Sequence, residues 1–290
     1  DLCPNYNARI VRGLQVGTSP LWMQMRLSLV GLRPISNVVD ATNYVMVERG
    51  QPLHAFDLAR LKGTCVSARR AGSRQRYETL DGVVRELLPE DLVIADAEGP
   101  VALAGVIGGA DSEIRPETVD VLLESAFFTP ETVRRTARRL GVSTESSYRF
   151  ERGVDPAGIR IALDRVIQLI VAHAGGQVAR GVLEDRAPGR RQRAGIRLRP
   201  ARVNFLLGTT LKIGEMERPL RALGATVSGR GPLVRRVVPP SHRFDLQNEV
   251  DLVEEIARLT GYDSVPATVP AIVTGGPGVG PTHDVEQRLR

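Results

Sequence analysis

The sequence predicts an α+β protein built as two successive units. Three observations carry that expectation. Short strand-like runs alternate with a few helices without a regular strand–helix–strand repeat. A charged, Pro/Gly-bearing stretch, 185–193, interrupts the apolar patterning. With 290 residues, 42% hydrophobic and 25% charged, the chain can bury a real core in one large or two ordinary domains. Aromatics are only 4%, so small aliphatic side chains must do most of the packing.

The first unit is expected over 1–187. Strands are predicted at 8–11, 65–69, 91–95 and 121–124, each apolar or alternating and bounded by Gly, Pro or Asp. A helix over 20–30 would turn Trp22, Met23, Leu27 and Val30 inward. A second, 130–140, has Thr129 as N-cap, Pro130 at its first position and Gly141 past its end. A third, 156–175, carries Ile159, Leu163, Val166, Ile167 and Ile170 on one stripe. This reads as a mixed-sheet domain. A linker is placed at 188–194, although the same composition also fits a surface loop inside one domain. The second unit, 195–268, shows a strand (196–198), helices 200–207 and 213–223 closed by Gly208 and Gly224, a hairpin pair (226–228 and 234–238) and a long helix after Pro239-Pro240. That order suggests a small winged-helix-like α+β domain. Residues 269–290 read as a linker around Gly275-Gly276-Pro277-Gly278 and the start of a further segment. With no initiating Met, the chain is expected to be a fragment of a longer subunit.

Net charge is +6, nearly all from arginine; the only lysines are Lys62 and Lys212. Arginine bias in the coding sequence explains the swap, while the net excess favours an anionic partner such as RNA. Cys3 and Cys65 are far apart and without metal-site spacing. No basic-then-apolar leader opens the chain, and no run approaches the roughly 20 apolar residues of a spanning helix. A reduced, cytoplasmic setting is expected.

Five constellations could carry chemistry. Thr42, Asn43 and His54 come first, with His54 expected on a rigid turn after Gly50 and Pro52. Taken singly they also read as a cap and a surface histidine. The glycine-rich run 103–110 matches neither a Walker loop nor a dinucleotide fingerprint and could be a tight turn. Glu124 stands in a strongly apolar run, so it must point outward or find an inside partner. The run 143–153 places hydroxyl residues before alternating basic and aromatic ones, which also fits a strand with surface ion pairs. Lastly, Asp251, Glu254 and Glu255 fall at i, i+3 and i+4 behind Asp245. Such acids suit magnesium, or else a helix start favoured by its dipole, with Arg258 pairing Glu254.

Together the runs RPISNVVDATNYVM, GQPLHAFDL, LAGVIGGA, LLESAFF and SYRFERGVDP resemble the editing module of the phenylalanyl-tRNA synthetase β-subunit family. The domain after the linker resembles the module that follows editing there. The resemblance implies that Thr42, Asn43 and His54 line a hydrolytic site. It implies that Gly108 and Glu124 read the para-hydroxyl of a tyrosyl group, and that Thr144 and Ser146 form the pocket wall. At Ser146 the family more often has alanine, so an extra hydroxyl stands there. It further implies that Asp245, Asp251, Glu254 and Glu255 are magnesium ligands at a site shared with an α subunit. The whole enzyme, of two α and two β subunits, would use ATP to charge tRNA(Phe); this chain alone would not aminoacylate.

The chemistry fits. An apolar slot shaped for phenylalanine rejects an added hydroxyl poorly, so a second site that demands the hydroxyl is needed. A carboxylate in an apolar wall would accept a phenolic hydrogen bond and be left unpaired by phenylalanine, at about 1–3 kcal/mol. Neither a Ser-His-Asp arrangement nor a metal-binding His cluster is evident. Water-mediated ester hydrolysis of mischarged Tyr-tRNA(Phe) is therefore expected, with His54 as base or as water-orienting group. The rival is a non-catalytic scaffold or nucleic-acid-binding module, in which Glu124 would face solvent.

Overall fold

The computed structural model describes residues 1–187 and 194–267, with 285, 288 and 289. Most of the expected linker and of the segment 269–290 lies outside the described residues. Two units separate by their contacts: Asp1–Ala194 with Pro240–Asp245, and Gly195–Pro239 with Leu246–Arg290.

The strands and helices of the first unit are, in chain order, β1 (Asn5–Leu14), α1 (Leu21–Leu29), α2 (Asn37–Arg49), β2 (Leu53–Asp57), β3 (Ser67–Arg70), β4 (Gln75–Glu78), β5 (Val84–Leu87), β6 (Leu92–Ala95), β7 (Pro100–Leu103), β8 (Ile107–Gly108), β9 (Val121–Phe127), α3 (Pro130–Leu140), α4 (Glu145–Phe150), α5 (Gly158–Ala174), β10 (Gly175–Val178) and β11 (Leu183–Arg186). One sheet runs β10-β1-β9-β2, with β11 also on β1; a second runs β3-β6-β7-β8, and β4 pairs β5. The α+β class holds, but every described pairing is antiparallel, not mixed.

β9 is buried along its whole length because both its faces are covered. One face carries Leu123 and Val121 into a core with α1, α2 and α5. The other carries Leu122 and Ala126 into a core with the second sheet and the helices α3 and α4. The edge strand β2 pairs with β9 so that His54 stands opposite Glu124.

The residues before and within α2 explain how that helix is set. The Ser36 hydroxyl caps it by accepting from the Val39 N–H at 3.3 Å. Asp40, fully buried, accepts from Ser19 and from the Ile35 N–H. The Asn37 amide ties the helix to the carbonyls of Gln15 and His173. Gly50 ends it at φ 71°, the left-handed conformation that favours glycine. The Gln51 amide then donates to the Ala126 carbonyl at 3.0 Å, and the chain enters β2.

Several elements differ from expectation. His54 is presented by a strand, not by a rigid turn. Within α1 only Met23 and Leu27 are buried; Trp22 and Val30 are exposed, because the core lies against a single stripe. Within the run 143–153, Glu145–Phe150 form helix α4, where a strand was the open alternative. Thr129 precedes α3 as expected, but its hydroxyl donates to the Leu2 carbonyl instead of capping.

The second unit contains β12 (Ile196–Leu198), α6 (Pro200–Leu207), α7 (Ile213–Ala222), β13 (Thr226–Ser228), β14 (Arg235–Val238) and α8 (Glu249–Thr260). Its sheet is ordered β12-β14-β13, and Leu198, Val203, Leu220, Val237, Leu252 and Ile256 fill its core.

Candidate functional site

A cavity of about 400 Å³ opens in the first unit beside the edge strand β2. Several separate parts of the chain form it. Helix α2 contributes Val39, Thr42, Asn43 and Met46, which recur at i, i+3, i+4 and i+7 and so share one face. The neighbouring face of α2, through Val38, Ala41 and Val45, packs into the core. Strands β2 and β9 contribute His54 and Glu124. The loop 103–108 and the start of α4 close the remaining wall. All seven residues expected to form an editing pocket, Thr42, Asn43, His54, Gly108, Glu124, Thr144 and Ser146, line this one cavity.

Glu124 is 7% exposed. Burial pushes its carboxyl up to about 7, although a hydrogen bond from the Tyr6 hydroxyl to Oε2, at 2.8 Å, works the other way. His54 is half-buried, and its Nε2 is fully enclosed without a hydrogen-bond partner. Burial holds this imidazole down at about 4, so it is neutral at physiological pH. The edge of Phe56 packs on its ring at 4.4 Å between centroids.

Gly108 has a steric reason. A Cβ there would lie 2.6 Å from His54 Cε1 and 2.8 Å from Leu80 Cδ1, closer than side-chain carbons tolerate. The glycine makes room for the imidazole. Gly105 turns the loop at φ 71°, with Phe128, Val133 and Phe150 packed about where a side chain would be.

The hydroxyls of α4 hold that loop in place. Thr144 donates to the Val106 carbonyl at 2.7 Å and accepts from the Ser147 N–H at 2.9 Å, one half of a reciprocal capping box. Ser146 donates to the Gly105 carbonyl at 3.3 Å. Thr42 donates to the Val39 carbonyl at 2.7 Å, which leaves its oxygen as an acceptor.

Three of the four acidic residues of the fifth constellation have other partners. Asp245 accepts from Arg243 at 2.6 Å. Asp251 accepts from the N–H groups of Gln247 and Asn248, capping α8. Glu255 is buried and pairs with Arg258, the partner expected for Glu254; Glu254 itself is exposed. Among the described residues no group of three or more His, Cys, Asp or Glu could hold a metal ion. In this chain by itself, the four carboxylates are not gathered into one group.

Sequence reasoning missed Tyr6 and Gln51. Tyr6 bonds Glu124 across 118 positions, and Gln51 bonds Ala126 across 75. Only the register of β1, β2 and β9 brings these partners together.

A family model described as the B3/4 domain matches residues 2–175, and one described as the tRNA synthetase B5 domain matches 196–262. The phenylalanine–tRNA ligase β subunit of Moorella thermoacetica is 50% identical over 290 residues, covering 100% of this chain and 36% of that protein. That of Syntrophus aciditrophicus is 48% identical over 272 residues, covering 93% and 34%. A solved N-terminal fragment of the phenylalanyl-tRNA synthetase β-subunit from Pyrococcus horikoshii is 15% identical, with a TM-score of 0.40, over 90% of this chain and 72% of that one, a likeness too distant to argue from. The chain spans about a third of the length of the curated relatives it matches. No helix among the described residues is long and apolar enough to cross a membrane. The chain belongs to the B3/4-domain family, with a B5 domain following in sequence, and is similar over its whole length to part of phenylalanine–tRNA ligase β subunits.

Proposed function

We propose that the first-unit cavity hydrolyses tyrosine wrongly esterified to tRNA(Phe), as an editing site within a phenylalanine–tRNA ligase. The observation that carries this reading is Glu124, buried in the cavity wall opposite His54. A scaffold would have no use for a carboxylate desolvated in that position. The tyrosyl hydroxyl donates to Glu124, and a phenylalanyl group leaves the acceptor unpaired. This one contact separates the two amino acids.

Hydrolysis of the ester requires a water held against the carbonyl carbon and donors for the oxyanion. With Nε2 of His54 enclosed, Nδ1 is the ring nitrogen left to hold that water. A neutral imidazole titrating near 4 is a weak base. His54 therefore orients the water, and the attack proceeds without a covalent enzyme intermediate. Thr42 accepts a hydrogen bond from water or substrate, and Asn43 lies one position further along α2 to donate another. Thr144 and Ser146 fix the loop that closes the opposite wall.

In the assembled enzyme the chain works with an α subunit, as two α and two β, and aminoacylation with ATP belongs to α. Magnesium, if this β chain helps to bind it, would need the acids of 245–255 released from their present partners; no step here uses it. The work is done in the cytoplasm, where tRNA is charged.

The test is deacylation of Tyr-tRNA(Phe) and Phe-tRNA(Phe) side by side, in the assembled enzyme. Faster release of tyrosine is expected, with the difference lost in Glu124→Ala. Equal release of both amino acids by the parent enzyme would overturn the reading.

A further inference from the structure

We propose that Tyr6 is a positioning residue for this selection: its hydroxyl approaches Glu124 from behind the cavity wall, takes up Oε2, and leaves Oε1 to receive the substrate phenol. The inference rests on the editing reading above and names a residue that reading does not require.

Strand register builds the contact. Glu124 stands on the central strand β9 between His54 on β2 and Ala8 on β1. Ala8 is too small to reach the carboxylate and leaves space beside it. Tyr6, two residues along β1 on the same face, is opposite Ala126 and reaches diagonally across that space. Its hydroxyl meets Oε2 at 2.8 Å, and no described residue bonds Oε1. Tyr6 itself lies outside the cavity lining; it borders a second hollow with Ala8, Ile10 and Leu122.

This geometry has a chemical consequence. A carboxylate that accepts from one phenol is already oriented and partly relieved of its desolvation. A second phenol, from a tyrosyl substrate, completes its set and favours the ionised acceptor. Phenylalanine cannot complete it. The Tyr6 hydroxyl stays a donor throughout the neutral range, because burial and then the Glu124 charge push its own ionisation far up. The other titratable groups facing Glu124 are His54 on β2 and the Cys3 thiol on the segment before β1. Burial, followed by the Glu124 charge, raises that thiol to about 12, so it too is neutral. Tyr6 is thus the neighbour that stabilises the carboxylate.

Tyr6→Phe removes one oxygen and keeps the ring. Two measurements decide. The first compares deacylation of Tyr-tRNA(Phe) with that of tRNA(Phe) bearing an apolar amino acid, in the assembled enzyme. The variant should lose about tenfold or more on the tyrosyl substrate, the size expected for a bond to a charged group, and little on the apolar one. The second follows the Glu124 carboxylate stretch by infrared difference spectroscopy as pH is varied, against Glu124→Gln as blank. Its midpoint should move upward in Tyr6→Phe, which a merely space-filling tyrosine would not cause. An unchanged substrate ratio with an unmoved midpoint overturns the proposal. So does an equal loss on both substrates. If the parent enzyme itself fails to prefer the tyrosyl substrate, the editing reading fails, and the carboxylate midpoint still tests the Tyr6 contact by itself.

Discussion

Replacing Glu124 with glutamine should make the fold less sensitive to alkali, by an amount that follows from burial. A carboxyl at its ordinary 4.5 is carried up to about 7 when desolvated in the cavity wall. Between those values the folded chain keeps a proton that the unfolded chain has released. Stability from this group is therefore fully present below 4.5 and declines as pH rises through the folded value. The full loss is about 3 kcal/mol, most of it between pH 5 and pH 8.5. Glutamine does not ionise. Its effects on packing and on the Tyr6 contact are independent of pH, so they cancel when the two pH values are compared. Urea unfolding can be followed through Trp22, the single tryptophan, which lies in the first unit. Relative to the parent, Glu124→Gln is expected to gain about 2–3 kcal/mol more at pH 8.5 than at pH 5. A difference that stays the same at both pH values, within about 1 kcal/mol, would show that Glu124 titrates normally. The argument that its carboxyl is desolvated would then be wrong.

Gly108→Ala should displace the His54 ring, since the added carbon would sit 2.6 Å from Cε1; deacylation is expected to fall at least about tenfold while urea unfolding remains cooperative, and full activity would show that the ring need not hold that position. Deacylation of a tRNA bearing an apolar amino acid should show no inflection near pH 6.5, because burial keeps His54 neutral down to about 4. An inflection there that vanishes in His54→Gln would assign it the role of base instead. Asp251→Ala should destabilise the second unit by about 1 kcal/mol, as expected for a lost helix cap. Thermal unfolding checks this, and an unchanged melting temperature would show that the cap contributes nothing.

How far the sequence carried the fold depended on burial. Helix α5 declared itself because one stripe packs and the other meets solvent, so Ile159, Leu163, Val166 and Ile170 repeat visibly. Helix α2 did not. It is covered by the core on one face and lines the cavity on another, and its polar residues Asn37 and Asp40 are buried in hydrogen bonds. Apolar periodicity has nothing to report when both faces are used. In α1 the opposite problem arises. Leu21, Met25 and Leu29 are apolar yet exposed, so the pattern could not tell the packed stripe from the free one.

The candidate site was legible only in combination. Thr42, Asn43, His54, Gly108, Glu124, Thr144 and Ser146 each have an ordinary local use, and several keep it. Thr144 is a helix cap, and Gly108 is where the His54 ring fits. What the runs could not express is the third dimension of the sheet. Glu124 meets His54 only because β2 and β9 pair in one register, and it meets Tyr6 only because Ala8 is too small to intervene. For the acidic helix, linear spacing does not convey where each side chain turns. Asp251, Glu254 and Glu255 share spacing suited to one ion, but side chains one residue apart diverge by about 100° around a helix. Glu255 is turned inward, Glu254 outward, and Asp251 is spent on the first turn. A cluster of like charges on paper is thus, in the folded chain, three separate local solutions. The lone Glu124, with no charged neighbour in sequence, is the carboxylate whose surroundings prepare it for chemistry.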